Sequence, residues 1–217
     1  MKIKKFLNAK INLSKFHFIP REETKFWLKK ALKELKNENK KLKVLDIFSG
    51  TGCIGIAILR ACPELCRRVD FGDIDDRALE QIKMNLKINK INPNRVKIIK
   101  TNIFSNIKGK YDLILANPPY VAKERLNEVQ LLVRKFEPKG AWYGGEKGIF
   151  FVSKFLKLAE NFLKKSGKIY LEFDPQQGKE IKKILKGKNY KYQFFKDQFG
   201  KLRYAEIWIK NNKIKPR

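Results

Sequence analysis

The chain has 217 residues, 43% of them hydrophobic and 12% aromatic, and carries 50 Lys and Arg against 22 Asp and Glu for a formal charge of +28. That length and composition predict one globular domain whose core needs no disulfide or metal staple, and exclude a disordered chain. No apolar run approaches a membrane span, and the lysine-rich N-terminus lacks the uninterrupted apolar segment of a signal peptide, so a soluble, cytosolic protein with no membrane partner is expected.

Cys53, Cys62 and Cys66 are an odd number of cysteines, and the single histidine, His17, lies far from them. Cys62 and Cys66 lack the third and fourth ligands of a structural metal site, so packed, reduced thiols and no metal are expected. A triad-type hydrolase would have to use His17 as its base, which argues against that class. The positive field suits RNA or the ribosome, but the lysines are dispersed, and a plainly solvated basic surface accounts for the same charge.

In chain order, the apolar runs Ile3 to Leu7 and Phe16 to Ile19, separated by Asn12-Leu13-Ser14, predict a small β-hairpin over residues 1–20 that Pro20 ends. Residues 21–217 read as one α/β domain. Arg21 to Leu35 predicts a helix with Glu22 and Glu23 at its start and Trp27, Leu28, Ala31, Leu32 and Leu35 on one face. Lys43 to Phe48 is a buried strand, and Ser49-Gly50-Thr51-Gly52 turns it into a helix from Cys53 to Arg60. Such a turn lets a ligand approach bare backbone at a helix N-terminus. The pattern is neither G-x-G-x-x-G nor a P-loop.

Arg68 to Ile74 predicts a second strand ending on Asp73, about 20 residues past the glycine turn, where a carboxylate can accept both ribose hydroxyls in a doubly wound fold. The same acid could cap the following helix, although Asp75 or Asp76 suits that role better. Val96 to Ile99 is a third strand, followed by Thr101-Asn102-Ile103-Phe104, which offers a polar group for an adenine edge and apolar cover for its ring. Tyr111 to Ala116 is a fourth strand, running into Asn117-Pro118-Pro119-Tyr120. Two prolines must end it, because neither has an N–H for a ladder and Pro119 keeps Pro118 out of the helical region. The result is a stiff elbow with an amide and an aromatic ring at its mouth, which reads either as a catalytic motif or as a plain strand-ending loop.

Val121 to Gly148 lacks clean periodicity and predicts a functional or mobile insertion such as a substrate lid. Ile149, Val152, Leu156, Ala159 and Leu163 predict one face of a long helix crowded by phenylalanines. Lys168 to Phe173 is a fifth strand, Gln176 to Leu185 a helix, and Tyr190 to Phe195 with Arg203 to Ile209 a closing antiparallel hairpin. The expected architecture is a Rossmann-like seven-stranded sheet with the last strand reversed.

A glycine turn after Asp46, an acid after the second strand and no phosphate-gripping lysine suit a nucleoside better than a triphosphate. With Asn117 to Tyr120 after the fourth strand, the arrangement resembles class I S-adenosylmethionine methyltransferases acting on planar amide or amino nitrogens. Phe18 to Thr24, Leu45 to Ile58, Phe136-Glu137-Pro138 and Gly144-Gly145-Glu146-Lys147-Gly148 resemble more narrowly the HemK/PrmC protein-(glutamine-N5) methyltransferases, over nearly the whole chain from about Phe6. The resemblance implies S-adenosylmethionine as cofactor, a peptide chain release factor as partner and its Gly-Gly-Gln glutamine as acceptor. It implies a cofactor loop from Phe48 through Ser49, Gly50, Thr51 and Gly52, preceded by Asp46, with Asp73 on the ribose and Asn102 and Ile103 at the adenine.

Asn117 would touch both cofactor and acceptor. Its side-chain oxygen and the Pro118 carbonyl would accept the two amide hydrogens, while Tyr120, following Pro119, would pack on the face of the group. Phe48 stands at a usual glycine and Asn102 at a usual aspartate. The family also carries an N-terminal helical domain, and almost nothing precedes the hairpin here. Docking is therefore expected to use the catalytic domain and its positive field, or the acceptor differs. Two other readings stay open. One is methylation of an exocyclic amine of RNA or DNA, which the charge favours and which would need a flipped base. The other is a catalytically silent RNA- or ribosome-binding protein.

Overall fold

The computed structural model describes residues 3–16 and 18–210, so His17 lies outside the described residues. A seven-stranded sheet organises the chain: β3 (Leu42–Ile47), β4 (Cys66–Asp73), β5 (Val96–Lys100), β6 (Tyr111–Ala116), β7 (Leu163–Glu172), β8 (Tyr190–Lys196) and β9 (Leu202–Ile209) lie in the order β5-β4-β3-β6-β7-β9-β8. Neighbours from β5 to β7 pair in parallel, and β9 runs antiparallel to both β7 and β8. The expected reversed last strand is thus β9. Chain direction across the sheet turns back at β3 and β6, which opens a crevice at their carboxyl ends.

Both faces are covered, which is why β6 reads as a continuous apolar run. Leu113 and Leu115 pack with α1 (Glu22–Leu35), α2 (Cys53–Ala61) and α3 (Asp76–Ile88), whereas Ile114 and Ala116 pack with α5 (Phe150–Leu158) and α6 (Gly178–Lys186). Cys53, Cys62 and Cys66 are buried free thiols, and burial pushes Cys53 and Cys66 up to about 12. Among the described residues no helix is long and apolar enough to cross a membrane.

The N-terminal hairpin is present, but its second strand differs from the expected one. β1 (Ile3–Phe6) pairs with β2 (Ala9–Asn12) across a two-residue turn in which Leu7 takes φ +52°. Phe16 and Phe18 run on instead as an irregular arm above the sheet. The reason is a polar stripe on α3. Gln81, Asn85 and Asn89, each one helical turn apart and all buried, face the open edge of β2. Asn89 accepts from Lys10 N and donates to Lys10 O, Asn85 accepts from Asn12 N and donates to Thr51 O, and Gln81 accepts from Lys15 N and Phe16 N. A helix thus supplies the hydrogen bonds that a third strand would give, so the edge closes without one.

The long helix expected through Leu163 is short. α5 ends at Leu158, a 3-10 turn covers Ala159–Phe162, and Leu163 begins β7 opposite Tyr111. Periodicity placed Leu163 on the helix face, and sheet pairing with β6 takes it instead. The 121–148 insertion contains one short helix, α4 (Leu131–Phe136), and several 3-10 turns.

Replacing Asn85 by Ala leaves the Asn12 N–H and the Thr51 carbonyl buried without their partner. A loss of about 3 kcal/mol is expected, checked by the urea midpoint at unchanged denaturant slope.

Candidate active site

The loop after β3 is shaped by positive φ angles: Phe48 takes +58°, Gly50 +53° and Gly52 +74°. Phe48 thus follows the backbone path that a glycine would take, and its ring packs edge-on to Phe151. The departure from the family pattern therefore leaves the loop's course intact. Ser49 Oγ donates to Asp46 O and Gly72 O, and Gly50 N donates to Asp73 Oδ2 at 2.8 Å, which fastens the loop to the end of β4. Asp73 Oδ1 also accepts from Asp75 N at 3.0 Å, and Asp75 caps α3.

A cavity opens over this loop. Of the predicted cofactor residues, Phe48, Ser49, Gly50, Asp73, Asn102, Ile103 and Asn117 line it. Asp46, Thr51 and Gly52 are not among its lining residues. Asp46 is fully buried and turned to the start of α2, where its Oδ2 accepts from Gly55 N at 2.9 Å. Burial pushes its carboxyl up to about 8, so it keeps its proton at neutral pH. Among the described residues, the charged side chains lining the cavity are those of Asp73 and Asp75, with no lysine or arginine, in a chain of charge +28. Phe16 and Phe18 from the N-terminal arm and Gly140 and Ala141 from the insertion complete the wall.

A second cavity is lined by Asn117, Pro118, Pro119 and Tyr120 together with Arg21, Arg125 and Trp142. Both cavities include Asn117 and Pro119, so the elbow borders both. Asn117 Nδ2 donates to Thr24 Oγ1 at 3.3 Å, and Tyr120 OH donates to Glu172 Oε1 at 3.1 Å. Glu172 ends β7, is fully buried, and also accepts from Thr24 Oγ1 and Trp27 Nε1. Burial pushes its carboxyl up, against the pull of these three hydrogen bonds.

The backbone of the elbow is held from outside. Val121 N donates to Trp142 O and Gly144 N to Val121 O, while Gln177 Nε2 bonds both Tyr120 O and Gly148 O. A Cβ on Gly144 would come within 2.8 Å of Pro119 O, and one on Gly148 within 2.1 Å of Tyr120 O. The glycine-rich segment is therefore seated directly on the elbow. Glu137 accepts from Arg21 Nη2 on both oxygens at 2.7 Å and from Ile19 N, so it ties the insertion to the arm before α1.

Sequence reasoning missed Thr24, Glu172 and Gln177. The signal for Glu172 was the one used for Asp73, a polar residue at the carboxyl end of a buried strand.

The sequence profile of the Methyltransferase small domain family matches residues 28–140. A release factor glutamine methyltransferase from Streptococcus pneumoniae is 34% identical over 191 residues, covering 87% of this chain and 66% of that protein. One of the same name from Lactococcus lactis is 32% identical over 204 residues, covering 93% and 73%. The crystal structure of ribosomal protein L11 methylase from Lactobacillus delbrueckii subsp. bulgaricus superposes with a TM-score of 0.65 at 18% identity, covering 89% of this chain and 81% of that one, a likeness of fold.

Sheet order, glycine loop and crevice together define a class I methyltransferase fold. Within that class, the chain belongs to the release factor glutamine methyltransferase family, of whose pneumococcal member it spans 66% of the length.

Two outcomes follow from this geometry. The unfolded chain ionises Asp46 near the usual aspartate value of about 3.9, while the folded protein holds the proton to about 8. Unfolding therefore releases a proton inside that window, and this contribution to stability falls as pH rises through it. Asp46→Asn keeps the acceptor for Gly55 and removes the titration. Urea unfolding at about pH 5 and about pH 8 is expected to show the variant gaining on the wild type at the higher pH. Gly148→Ala is expected to displace Tyr120 and lower methyl transfer at least about tenfold, as a small misplacement of a positioned group does, measured beside a circular dichroism spectrum that reports the retained fold.

Proposed function

We propose that this chain transfers a methyl group from S-adenosylmethionine to the side-chain amide nitrogen of the glutamine in the Gly-Gly-Gln loop of a peptide chain release factor. The observation that carries this reading is a cavity with no lysine or arginine among its described residues, sharing Asn117 with a second cavity. A nucleoside carrying a sulfonium suits acidic walls, which would repel a phosphate-bearing ligand. The names of the relatives support the acceptor.

The residues present fit that cofactor. Asp73 holds carboxylate lone pairs at the strand end for ribose hydroxyls, the Gly50 turn lets the ligand approach backbone, and Ile103 and Asn102 give an apolar face and a polar edge for adenine. When bound, the cofactor supplies an electrophilic methyl group on its positively charged sulfur.

An amide nitrogen is a weak nucleophile, because its lone pair is shared with the carbonyl, so positioning contributes much of the rate. Asn117 Oδ1 and the Pro118 carbonyl accept the two N–H groups of the acceptor, and the Tyr120 ring packs on its face. Burial and the neighbouring Glu172 hold the Tyr120 phenol far above its ordinary value, so Tyr120 stays neutral and serves as a wall. No strong base is required at the start, since the proton can leave once the nitrogen has become cationic. Val129 and Val133 line the acceptor side, and the neighbouring Leu131 and Leu132 are exposed on α4, a rim that suits a protein surface.

The test incubates the protein with labelled S-adenosylmethionine and, separately, release factor or RNA. Label is expected on the release factor glutamine. Label on RNA alone overturns the assignment, and label on neither favours a silent binder. Asn117→Ala is expected to lower transfer about 100-fold or more while calorimetry still detects cofactor binding; transfer at the native rate would mean that the elbow is not the acceptor site.

A further inference from the structure

Beneath the elbow lies a buried carboxylate that no step above uses. Glu172 is 0% exposed and takes two hydrogen bonds on one oxygen, from Thr24 Oγ1 at 2.7 Å and Trp27 Nε1 at 2.6 Å, and one on the other, from Tyr120 OH at 3.1 Å. All three partners are neutral. The indole N–H can only donate, so Oε2 is committed as an acceptor. The Thr24 hydroxyl directs its single hydrogen to that same oxygen. Its own oxygen can then only accept, and the group it meets is the Asn117 amide at 3.3 Å.

The consequence is polarity. An asparagine amide has two ends of similar shape and opposite hydrogen-bonding character, and only its partners decide which way it points. With Thr24 able only to accept, Nδ2 must face Thr24, and Oδ1 is left for whatever lies on the other side. We infer that Glu172 and Thr24 are positioning residues that set the direction of the Asn117 amide, so that an acceptor of hydrogen bonds, never a donor, meets the incoming N–H groups. This inference rests on the proposed role of Asn117. A flipped amide would set its NH2 against the hydrogens of the substrate nitrogen, which is the wrong sign for holding it. The same carboxylate anchors the Tyr120 hydroxyl, so both side chains of the elbow take their orientation from one residue at the end of the neighbouring strand.

The experiment compares Thr24→Val, Thr24→Ser, Glu172→Gln and Asn117→Ala, with a release factor as acceptor and rates expressed per cofactor-binding site from titration calorimetry. Valine keeps the volume of Thr24 and removes the hydroxyl. It is expected to lower kcat at least about tenfold, the equivalent of one net hydrogen bond, with cofactor affinity within about threefold and a smaller change in acceptor KM. Serine restores the hydroxyl and is expected to restore kcat. Glu172→Gln can keep its amide oxygen toward Trp27 and Thr24, so it is expected to retain more activity than Thr24→Val. Should the valine variant fail to fold, Thr24→Ala carries the same expectation.

Wild-type kcat in Thr24→Val while Asn117→Ala is inactive would overturn the relay and leave the acceptor reading standing. Wild-type kcat in Asn117→Ala would remove the acceptor reading itself. Loss of cofactor binding in step with activity, unrescued by serine, would reduce Thr24 to a packing role and overturn the inference.

Discussion

Two consecutive prolines at the end of a buried parallel strand leave the chain without ladder hydrogen bonds at the point where the sheet opens to solvent. The candidate acceptor site depends on how the protein restrains that elbow from outside. Trp142 and Gly144 bond Val121, Gln177 takes Tyr120 O, and Gly148 approaches Tyr120 so closely that no side chain fits between them. Glu172 accepts from the Tyr120 hydroxyl directly and is linked to Asn117 through Thr24. A planar group can be gripped only if the amide and the ring keep their positions, and a loop closed by its own prolines alone would not supply that. The glycines at 144 and 148, whose sequence pattern points toward an acceptor class, have a local physical role as the seat of the elbow.

Electrostatics divide the crevice in two. The chain carries a charge of +28, while the cavity over the glycine loop has two aspartates and no lysine or arginine among its described residues. The second cavity mixes Lys4, Lys5, Arg21, Lys25 and Arg125 with acids such as Glu128 and Asp174. Positive surroundings attract a polyanion or an acidic partner over distances of about a Debye length. The inner cavity is selected by contact instead, where the carboxylates and the aromatic arm dominate.

The N-terminal arm reaches the site through an interaction that no local pattern announces. Gln81, Asn85 and Asn89 spell a polar stripe on a helix, which in isolation reads as a solvated face. Buried against β2, each amide both donates and accepts where the structure requires it, and Gln81 holds Phe16 at the cavity over the glycine loop. Glu137 does the equivalent for the insertion by binding Arg21. Arm and insertion, distant in sequence, thereby line one cavity.

Local patterns in the sequence specify the succession of strands and helices along the chain, the bounds of β6 and the glycine loop, because alternation, burial on both faces and turn residues act over a few neighbours. They also specify which strand ends carry Asp73 and Asn117. Tertiary structure alone decided the rest. Leu163 left a helical pattern for a strand because Tyr111 offered it a pairing partner. The hairpin took Ala9 to Asn12 because α3 bonds that edge. Asp46 turned from the cavity to Gly55 because the pleat points it at α2. The Asn117 amide came to meet Thr24, which bonds Glu172 at the end of the neighbouring strand. Such choices depend on which group lies opposite, and a linear pattern carries the character of a residue but not the identity of its neighbour in space.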